Sequence, residues 1–338
     1  MNHARISFLC LSVFLCLSCS TPAKKNDAES VTSPIKDKSG QQLPTFSGDS
    51  AWHYAESQTL FGPRTPNSSA QKACKKYLVT TLKQFGVKVI EQAFTVKGWD
   101  GKDLHGTNII ASLYPEKKER ILLCAHWDSR PWADQDPNPA NHKKPLLGAN
   151  DGASGVAVLM EIARIMGKKG LSQAPSVGID LVLFDVEDYG TPTWFDGVKD
   201  ESSWCLGSQH WSKEASKNGY KARYGILLDM VGDQKPAFYW ESFSFESAPT
   251  VVTKVWSVAS SLGYSTLFIP REGGSITDDH LPIQQLAGIP CIDIIDFDPA
   301  RPTGFPVSWH TLSDTMDNLD PGTLKAVGET LVKVAYSE

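Results

Sequence analysis

Apolar positions recur along the chain with two different spacings, and these spacings predict alternating helices and strands. Helical spacing predicts four helices, over residues 68–86, 154–170, 249–263 and 321–337. Short apolar or alternating runs predict six strands, over residues 87–96, 106–114, 121–126, 177–186, 224–232 and 289–296. This order favours an α/β three-layer sandwich, in which helices cover both faces of a central, mostly parallel mixed sheet.

The N-terminal residues have a different pattern, which is typical of an export signal. After Arg5 comes the apolar run ISFLCLSVFLCLSC, which has the length of a signal-peptide core and is short for a membrane span. The run ends at Cys19, which resembles the lipid-accepting cysteine of a bacterial lipoprotein; an ordinary cleaved secretory signal is the alternative. We therefore expect residues 1–19 to be a signal peptide, and the protein to be exported and periplasmic or anchored to the outer membrane.

The next segment, residues 20–45, is polar and lacks apolar periodicity, so we expect a flexible tether. Residues 46–338 then form one folded domain. Four cysteines lie beyond the signal without metal-binding spacing, and both disulfide pairing and isolated thiols remain open for them. They are Cys74, Cys124, Cys205 and Cys291.

Composition excludes one class of partner. The 338 residues are 41% hydrophobic and 21% charged, with a net charge of -5, which are globular proportions. A long basic stripe is absent from the sequence, so we expect no binding of nucleic acid.

Acidic and histidine side chains follow the predicted buried strands, where the ligands of open α/β sheets bind. They are His126 and Asp128 after ILLCA, Asp151 in GANDGASG, Asp185, Glu187 and Asp188 in FDVEDYG, Asp229 after GILL, and His310 in VSWHTLSDT. Alone, a histidine at a strand end often bonds to backbone, and an acid there is often a helix cap or is solvated. Together they form the mixed nitrogen and oxygen ligand set that suits zinc. We predict that the three acids end their strand because a zinc ion lies there.

Neighbouring acids can also divide two tasks between them. Because the side chains of Glu187 and Asp188 diverge, one can bind a metal while the other moves a proton. Asp128 lies two residues after His126, and we expect its carboxylate to fix the tautomer of that imidazole.

From FGPRTPNS at residues 61–68 to the C-terminus, the chain resembles the zinc-dependent aminopeptidase family. The motifs that carry the resemblance are HWDS, GANDGASG, FDVED, LLDMVG, DDHLP and WHTLSDT. Three features resemble the glutaminyl-peptide cyclotransferases of animal type within that family. These are the long segment YGTPTWFDGVKDESSW after Asp188, Trp309 directly before His310, and ITDDHLP, which has Asp278 at the place of the cyclases' network aspartate.

The resemblance implies a zinc-dependent catalytic domain with assigned residue roles. The zinc ligands would be Asp151, Asp188 and His310. Glu187 would be the proton shuttle, with Asp229 and Asp278 in the hydrogen-bond network beside it. The substrate pocket would be lined by Trp194, Ile276, Ile295, Phe305 and Trp309. His126 and Asp229 correspond to the second-metal ligands of the peptidases, and the number of zinc ions stays open.

The implied reaction converts the N-terminal glutamine of a peptide or protein to pyroglutamate and releases ammonia, with zinc polarising the γ-amide. Its partners are therefore peptide or protein N-termini that bear glutamine. We expect a monomer that contacts a membrane only through a lipid anchor.

The chain departs from the animal enzymes at three positions. Asp188 stands where they have glutamate, and Asp293 where they have histidine. Val156 occupies the place of a disulfide cysteine, so we carry over no disulfide.

Two alternatives remain open. A two-zinc aminopeptidase, hydrolysing N-terminal residues with Glu187 as base, would use His126 and Asp229. A binding lipoprotein without catalysis would have lost Glu187 or a ligand, and the sequence retains both.

Overall fold

A computed structural model of the chain describes residue 1 and residues 34–36, 40, 42–167 and 174–338. The predicted signal peptide, apart from its first residue, and the first part of the predicted tether lie outside the described residues. Within the described residues, no helix has both the length and the apolar content that a membrane span requires.

Six strands build the central sheet, and two others pair separately. The strands of the described residues are β1 (Lys88–Lys97), β2 (Asp103–Leu113), β3 (Arg120–His126), β4 (Gly178–Phe184), β5 (Gly225–Asp229), β6 (Phe238–Glu241), β7 (Phe268–Gly274) and β8 (Cys291–Ile295). The central sheet has the order β1-β2-β4-β3-β5-β8. Its four strands β4, β3, β5 and β8 are parallel to one another, whereas β2 pairs antiparallel with both β1 and β4. The predicted mostly parallel mixed sheet is confirmed.

Eight α-helices are present in the described residues, of which the sequence predicted four. They are α1 (Gly48–Thr59), α2 (Ser69–Gln84), α3 (Ala153–Met166), α4 (Leu206–Lys217), α5 (Ser242–Ser247), α6 (Pro249–Ser261), α7 (His280–Ala287) and α8 (Pro321–Tyr336). The predicted helices correspond to α2, α3, α6 and α8. Helix α4 was missed because half of its buried face is Gly207, Ser208 and Ser212, which give no apolar signal.

The alternation of side chains along β3 explains why both faces of the sheet carry helices. Ile121, Leu123 and Ala125 point into the larger core, which α2, α3, α6 and α8 cover. Leu122 and Cys124 point into the opposite core, which is closed by α4 and α7. The predicted three-layer sandwich is therefore confirmed.

The end of the predicted tether packs onto the domain. Leu43 is buried in the larger core, and its backbone N–H donates to the carbonyl of Ile35 at 2.8 Å. The ring of Phe46 occupies the space above Gly328 on α8, where a Cβ would lie 2.2 Å from a ring carbon. Burial of these few apolar side chains fixes this part of the segment against the fold.

Candidate active site

One cavity of about 480 Å³ opens where the carboxyl ends of the parallel strands meet. Its lining includes nearly all the predicted site residues: Asp151, Glu187, Asp188, Asp229, Asp278, Ile276, Ile295, Phe305, Trp309 and His310. Strand β5 ends at Asp229 and β8 ends at Ile295, while Asp151 lies just before α3. The sheet therefore brings together side chains that are far apart in sequence.

Asp151, Asp188 and His310 form a buried trio in which one ligand atom of each lies within 4.8 Å of the others. The Nε2 atom of His310 is 3.5 Å from Asp151 Oδ2 and 3.5 Å from Asp188 Oδ1. Two carboxylates and one imidazole are a ligand set that zinc accepts.

Two further observations show that the trio fits a divalent metal. Asp188 Oδ2 is buried and has no hydrogen-bond partner in the protein, which is costly for a carboxylate oxygen unless a cation binds it. Burial, together with the charge of Arg130, lowers the pKa of His310 well below its usual value. The imidazole is therefore neutral, which is the form that binds metal.

A second trio shares Asp151 with the first. The Nε2 atom of His126 lies 3.0 Å from Asp151 Oδ1 and 3.3 Å from Asp229 Oδ1. Burial lowers the pKa of His126, but its contacts with Asp128, Asp151 and Asp229 outweigh burial and raise it well above the usual value. The His126 imidazole thus contacts both carboxylates of this second trio.

Asp128 supports both His126 and the paired acids. Its Oδ1 is 3.4 Å from His126 Nδ1, and its two oxygens accept the backbone N–H groups of Glu187 (3.1 Å) and Asp188 (3.2 Å). Val186 has a left-handed backbone with φ of 59°, which is unusual for a β-branched residue. This reversal turns the chain after β4 so that the next two acids line the cavity.

Asp185 does not belong to this cluster, and our prediction that all three acids face a metal was wrong for it. Its carboxylate accepts from Gln71 Nε2, from Thr107 N at 2.8 Å and from Val186 N at 3.0 Å. These donors provide the hydrogen bonds that the buried Asp185 carboxylate needs. The left-handed backbone at Val186 comes directly after Asp185, so the chain turns between Asp185 and the two acids that line the cavity.

Glu187 lies in the cavity wall with its carboxylate almost out of solvent. Burial raises the pKa of Glu187 well above its usual value; the charge of His126 opposes this and that of Asp188 adds to it. A carboxylate with a raised pKa can both accept and return a proton near neutral pH. The arrangement suits a general base that later acts as an acid.

The buried pair of Arg130 and Asp134 was missed by the sequence analysis. The guanidinium makes two bonds of 2.8 Å to the Asp134 carboxylate and lies 3.0 Å from Asp188 Oδ1. Asp134 Oδ1 is also 3.6 Å from His310 Nδ1. An arginine and an aspartate four residues apart, soon after HWDS, were the available signal.

Stacked rings form the apolar wall of the cavity. The Trp309 ring lies 4.3 Å from that of Phe305 and 4.0 Å from that of His310. The ring of Trp204 also lies parallel to the imidazole of His310, with centroids 6.1 Å apart. Trp204 lines the cavity, although we had predicted no role for it.

Trp194 occupies a different place from the one we expected. It is absent from the described lining of the cavity and packs edge-on against Trp99 and Trp132, with centroids 6.0 and 6.3 Å away. Spacing along a loop does not determine which of its two tryptophans folds back over the site. In this structure Trp204 covers His310.

The acids continue from the cavity wall into the buried interior. Burial and the Asp229 carboxylate raise the pKa of Asp278 to about 7. Burial and Asp278 in turn raise the pKa of Asp293 well above its usual value. Asp293 Oδ2 lies 3.8 Å from His280 Nδ1. Asp293, which stands where the animal enzymes have histidine, therefore adds a carboxyl group to this network.

The loops that carry the site are held by buried polar groups and a glycine. Arg64 donates to the carbonyl oxygens of Trp127 and Gly148 at 2.9 and 2.8 Å. Asp314 accepts the backbone N–H of Asp151 at 3.1 Å. A Cβ at Gly152 would lie 2.4 Å from His126 Nε2, so only glycine allows this close approach.

The question of disulfides is settled for the described cysteines. All four, at positions 74, 124, 205 and 291, are buried free thiols.

Comparison with known proteins agrees with the geometry of the site. A glutaminyl cyclase of Bacteroides thetaiotaomicron, solved with N-acetylhistamine bound, is 50% identical; the match covers 88% of this chain and 100% of that one, with a TM-score of 0.84. A Zn-dependent exopeptidase of Parabacteroides distasonis is 49% identical over 88% and 100% of the two chains, with the same TM-score. The glutaminyl-peptide cyclotransferase of Drosophila melanogaster is 26% identical, over 77% of this chain and 73% of its own. The family model described as peptidase family M28 matches residues 108–335, and the chain belongs to this family.

Proposed function

We propose that this protein is a zinc-dependent glutaminyl-peptide cyclotransferase that converts N-terminal glutamine to pyroglutamate and releases ammonia. One observation carries the proposal: the Glu187 carboxylate lines the same cavity as the trio of Asp151, Asp188 and His310. The glutaminyl cyclase of Bacteroides thetaiotaomicron, 50% identical in a match that covers 88% of this chain, supports it.

Asp151, Asp188 and His310 are the residues that would hold the zinc ion. When bound, zinc supplies a Lewis acid that polarises the side-chain amide carbonyl of the substrate. The remaining chemistry belongs to residues of this chain.

Glu187 moves the proton. The α-nitrogen of the substrate attacks the γ-carbonyl carbon, and the bond from that carbon to the amide nitrogen breaks. The Glu187 carboxylate accepts a proton from the attacking nitrogen and returns it to the departing ammonia, so the enzyme ends in its starting state. Burial, which raises the pKa of Glu187, favours this exchange near neutral pH.

The apolar wall positions the substrate. Cyclisation requires the glutamine side chain to fold back on its own amino group, and a fitted cavity removes much of that entropic cost. Phe305, Trp309, Ile276 and Ile295 supply the flat and branched surfaces that such a folded side chain contacts. The same surfaces exclude water, which would hydrolyse the amide.

The two-zinc aminopeptidase is the second candidate, and two observations favour it. His126, Asp151 and Asp229 form another possible metal group, and the similar Parabacteroides distasonis protein is called a Zn-dependent exopeptidase.

Two dipeptide amides separate the candidates. The folded domain is incubated with zinc and either Gln-Phe-amide or Leu-Phe-amide. A cyclase releases ammonia from the first and leaves the second intact, whereas an aminopeptidase releases Phe-amide from both. Glu187→Gln should lower kcat by about 100-fold or more, because it removes the proton acceptor. Cleavage of the leucine substrate would reject the cyclase.

Export and anchoring form a separate part of the proposal. The apolar run ending at Cys19, followed by a polar segment, supports an exported protein with a lipid anchor. Labelling cells with a fatty acid should tag the wild type but not Cys19→Ser. Equal labelling of both would reject the anchor.

A further inference from the structure

The thiol of Cys205 makes a direct contact with the proposed proton shuttle. Its Sγ atom donates a hydrogen bond of 3.4 Å to Glu187 Oε1, and the pair is buried. Among the described residues, no other hydrogen-bond donor reaches this carboxylate; His126 Nδ1 is 3.9 Å from Oε2 and beyond hydrogen-bond length.

The backbone fixes this contact from both sides. The N–H of Cys205 donates to the carbonyl of Glu187 at 2.9 Å, and the N–H of Leu206 donates to that of Val186 at 3.1 Å. The segment before α4 is therefore bonded to the turn that presents the shuttle. These bonds keep the two backbones adjacent, so the thiol and the carboxylate start from neighbouring positions.

The backbone of Cys205 is unusual in a way that points to its side chain. Its φ is 56° and its ψ is 33°, in the left-handed region where a residue with a Cβ is disfavoured by roughly 1 kcal/mol. Glycine or asparagine would be the ordinary choice at such a position. The thiol also makes no capping hydrogen bond to α4, although Cys205 is the N-cap residue. The side chain is thus directed at Glu187 rather than at its own helix.

A thiol is a hydrogen-bond donor of suitable strength for this position. Burial, with the nearby Glu187 carboxylate, raises the pKa of Cys205 well above its usual value, so the group remains a neutral S–H donor. A weak neutral donor orients a carboxylate without strongly stabilising its charged form, as a cationic donor would. Because Oε1 is engaged, Oε2 remains for the proton in transit.

We propose that Cys205 is a positioning residue of the reaction: its thiol holds Glu187 Oε1 so that the carboxylate faces the attacking nitrogen. The inference rests on the proposed function, because it assumes that Glu187 carries the proton. Cys205 thus supplies the hydrogen-bond donor of the proton shuttle Glu187.

The test compares Cys205→Ala, which removes the donor, with Cys205→Ser, which keeps one. Cys74→Ala, at another buried thiol in α2, is the matched control. For Cys205→Ala we expect kcat on Gln-Phe-amide to fall about 10-fold, less than the loss of the base itself, while KM stays within about twofold. Cys205→Ser should recover most of kcat, and Cys74→Ala should keep it.

Thermal unfolding of each zinc-loaded variant separates a positioning role from a structural one. A fall in kcat for Cys205→Ala with an unfolding temperature like that of Cys74→Ala supports the proposal. Unchanged kcat in Cys205→Ala, or a serine variant no better than alanine while folded, overturns it. Failure of the proposed function shows differently, because the wild type itself would then form no pyroglutamate.

Discussion

The guanidinium of Arg130 lies 3.0 Å from the Asp188 carboxylate, and both side chains are about 99% buried. Arg130 is also bonded twice to Asp134, which in turn lies beside His310. A permanent cation is thus built into the wall of an acidic site, where it offsets the charges of two carboxylates without occupying the metal position. This arrangement gives a prediction about stability.

Arg130→Met should lower the free energy of unfolding by about 3–5 kcal/mol, because it leaves two buried carboxylates without their partner. Urea unfolding measures the change. Lys97→Met is the control, since the Lys97–Asp103 pair is 2.8 Å long but mostly exposed, and its loss should change stability little. Equal effects of the two substitutions would contradict the structural role of Arg130.

Removal of the metal should destabilise the protein. The carboxylates of Asp151 and Asp188 repel each other when no cation lies between them, and the pKa of Asp188 is raised by burial and then by Asp151. We expect a chelator to lower the unfolding temperature and zinc to restore it; free zinc at 100 times its Kd adds about 2.7 kcal/mol.

His310→Gln should lose bound zinc, measured as metal per chain after dialysis. His53→Gln, at an exposed histidine of α1, should retain it. Retention of stoichiometric zinc by the first variant would remove His310 from the ligand set.

The two tryptophans of the loop after Asp188 should have different effects on catalysis. Trp204 lines the cavity, stacks on His310 and lies over the Arg130 guanidinium at 4.6 Å, whereas Trp194 packs against other tryptophans. Trp204→Ala should lower kcat/KM by about tenfold, or about 1.4 kcal/mol, and Trp194→Ala by less than about twofold. The reverse order would restore the role that the sequence suggested for Trp194.

Helices and strands could be predicted from the sequence where the burial of apolar side chains alone determines them. The run ILLCAH reads as a strand because all but its last residue are apolar, and it is β3; the apolar periodicity of residues 154–170 likewise gave α3. His126 and Asp229 could be placed at strand ends for the same reason. Parallel strands bring such ends together whatever their separation along the chain.

Residue roles were harder to predict from the sequence where they depend on the direction in which a side chain points. Asp185 and Asp188 belong to the same short run, yet one bonds to Gln71 and the other faces the cavity. Trp204 and Arg130 also take their roles from the path of a loop and from a buried ion pair. Neither periodicity nor spacing encodes that information, because both depend on tertiary packing.

Stability should depend on pH through Asp296, which lies outside the catalytic cluster. Burial raises its pKa to about 6 even though Arg301 opposes the shift, so the folded state binds more protons than the unfolded state between about pH 4 and 6. Stability contributed by the protonated carboxyl is therefore present at low pH and is lost as the pH rises to 6.

Asp296→Asn should flatten the unfolding free energy over that window and stabilise the protein at pH 7 by about 2–3 kcal/mol at most, from 1.36 kcal/mol per unit of pKa. Asparagine keeps an oxygen that can accept the 2.8 Å bond from the N–H of Ala237. Denaturant titrations from pH 4 to pH 7 measure the effect. An unchanged pH profile would show that Asp296 ionises normally.

In the proposed mechanism, the cavity directs the substrate's own nitrogen, rather than water, at the γ-carbonyl. Turnover of Gln-Phe-amide in water labelled with heavy oxygen distinguishes these two nucleophiles, with mass spectrometry of every product. We predict a cyclised peptide that is lighter by one ammonia, keeps its peptide bond and carries no label. Glu-Phe-amide labelled in its side chain would show that water attacks the γ-carbonyl, and free glutamine carrying the label, with unlabelled Phe-amide, would show hydrolysis of the peptide bond; either product rejects cyclisation.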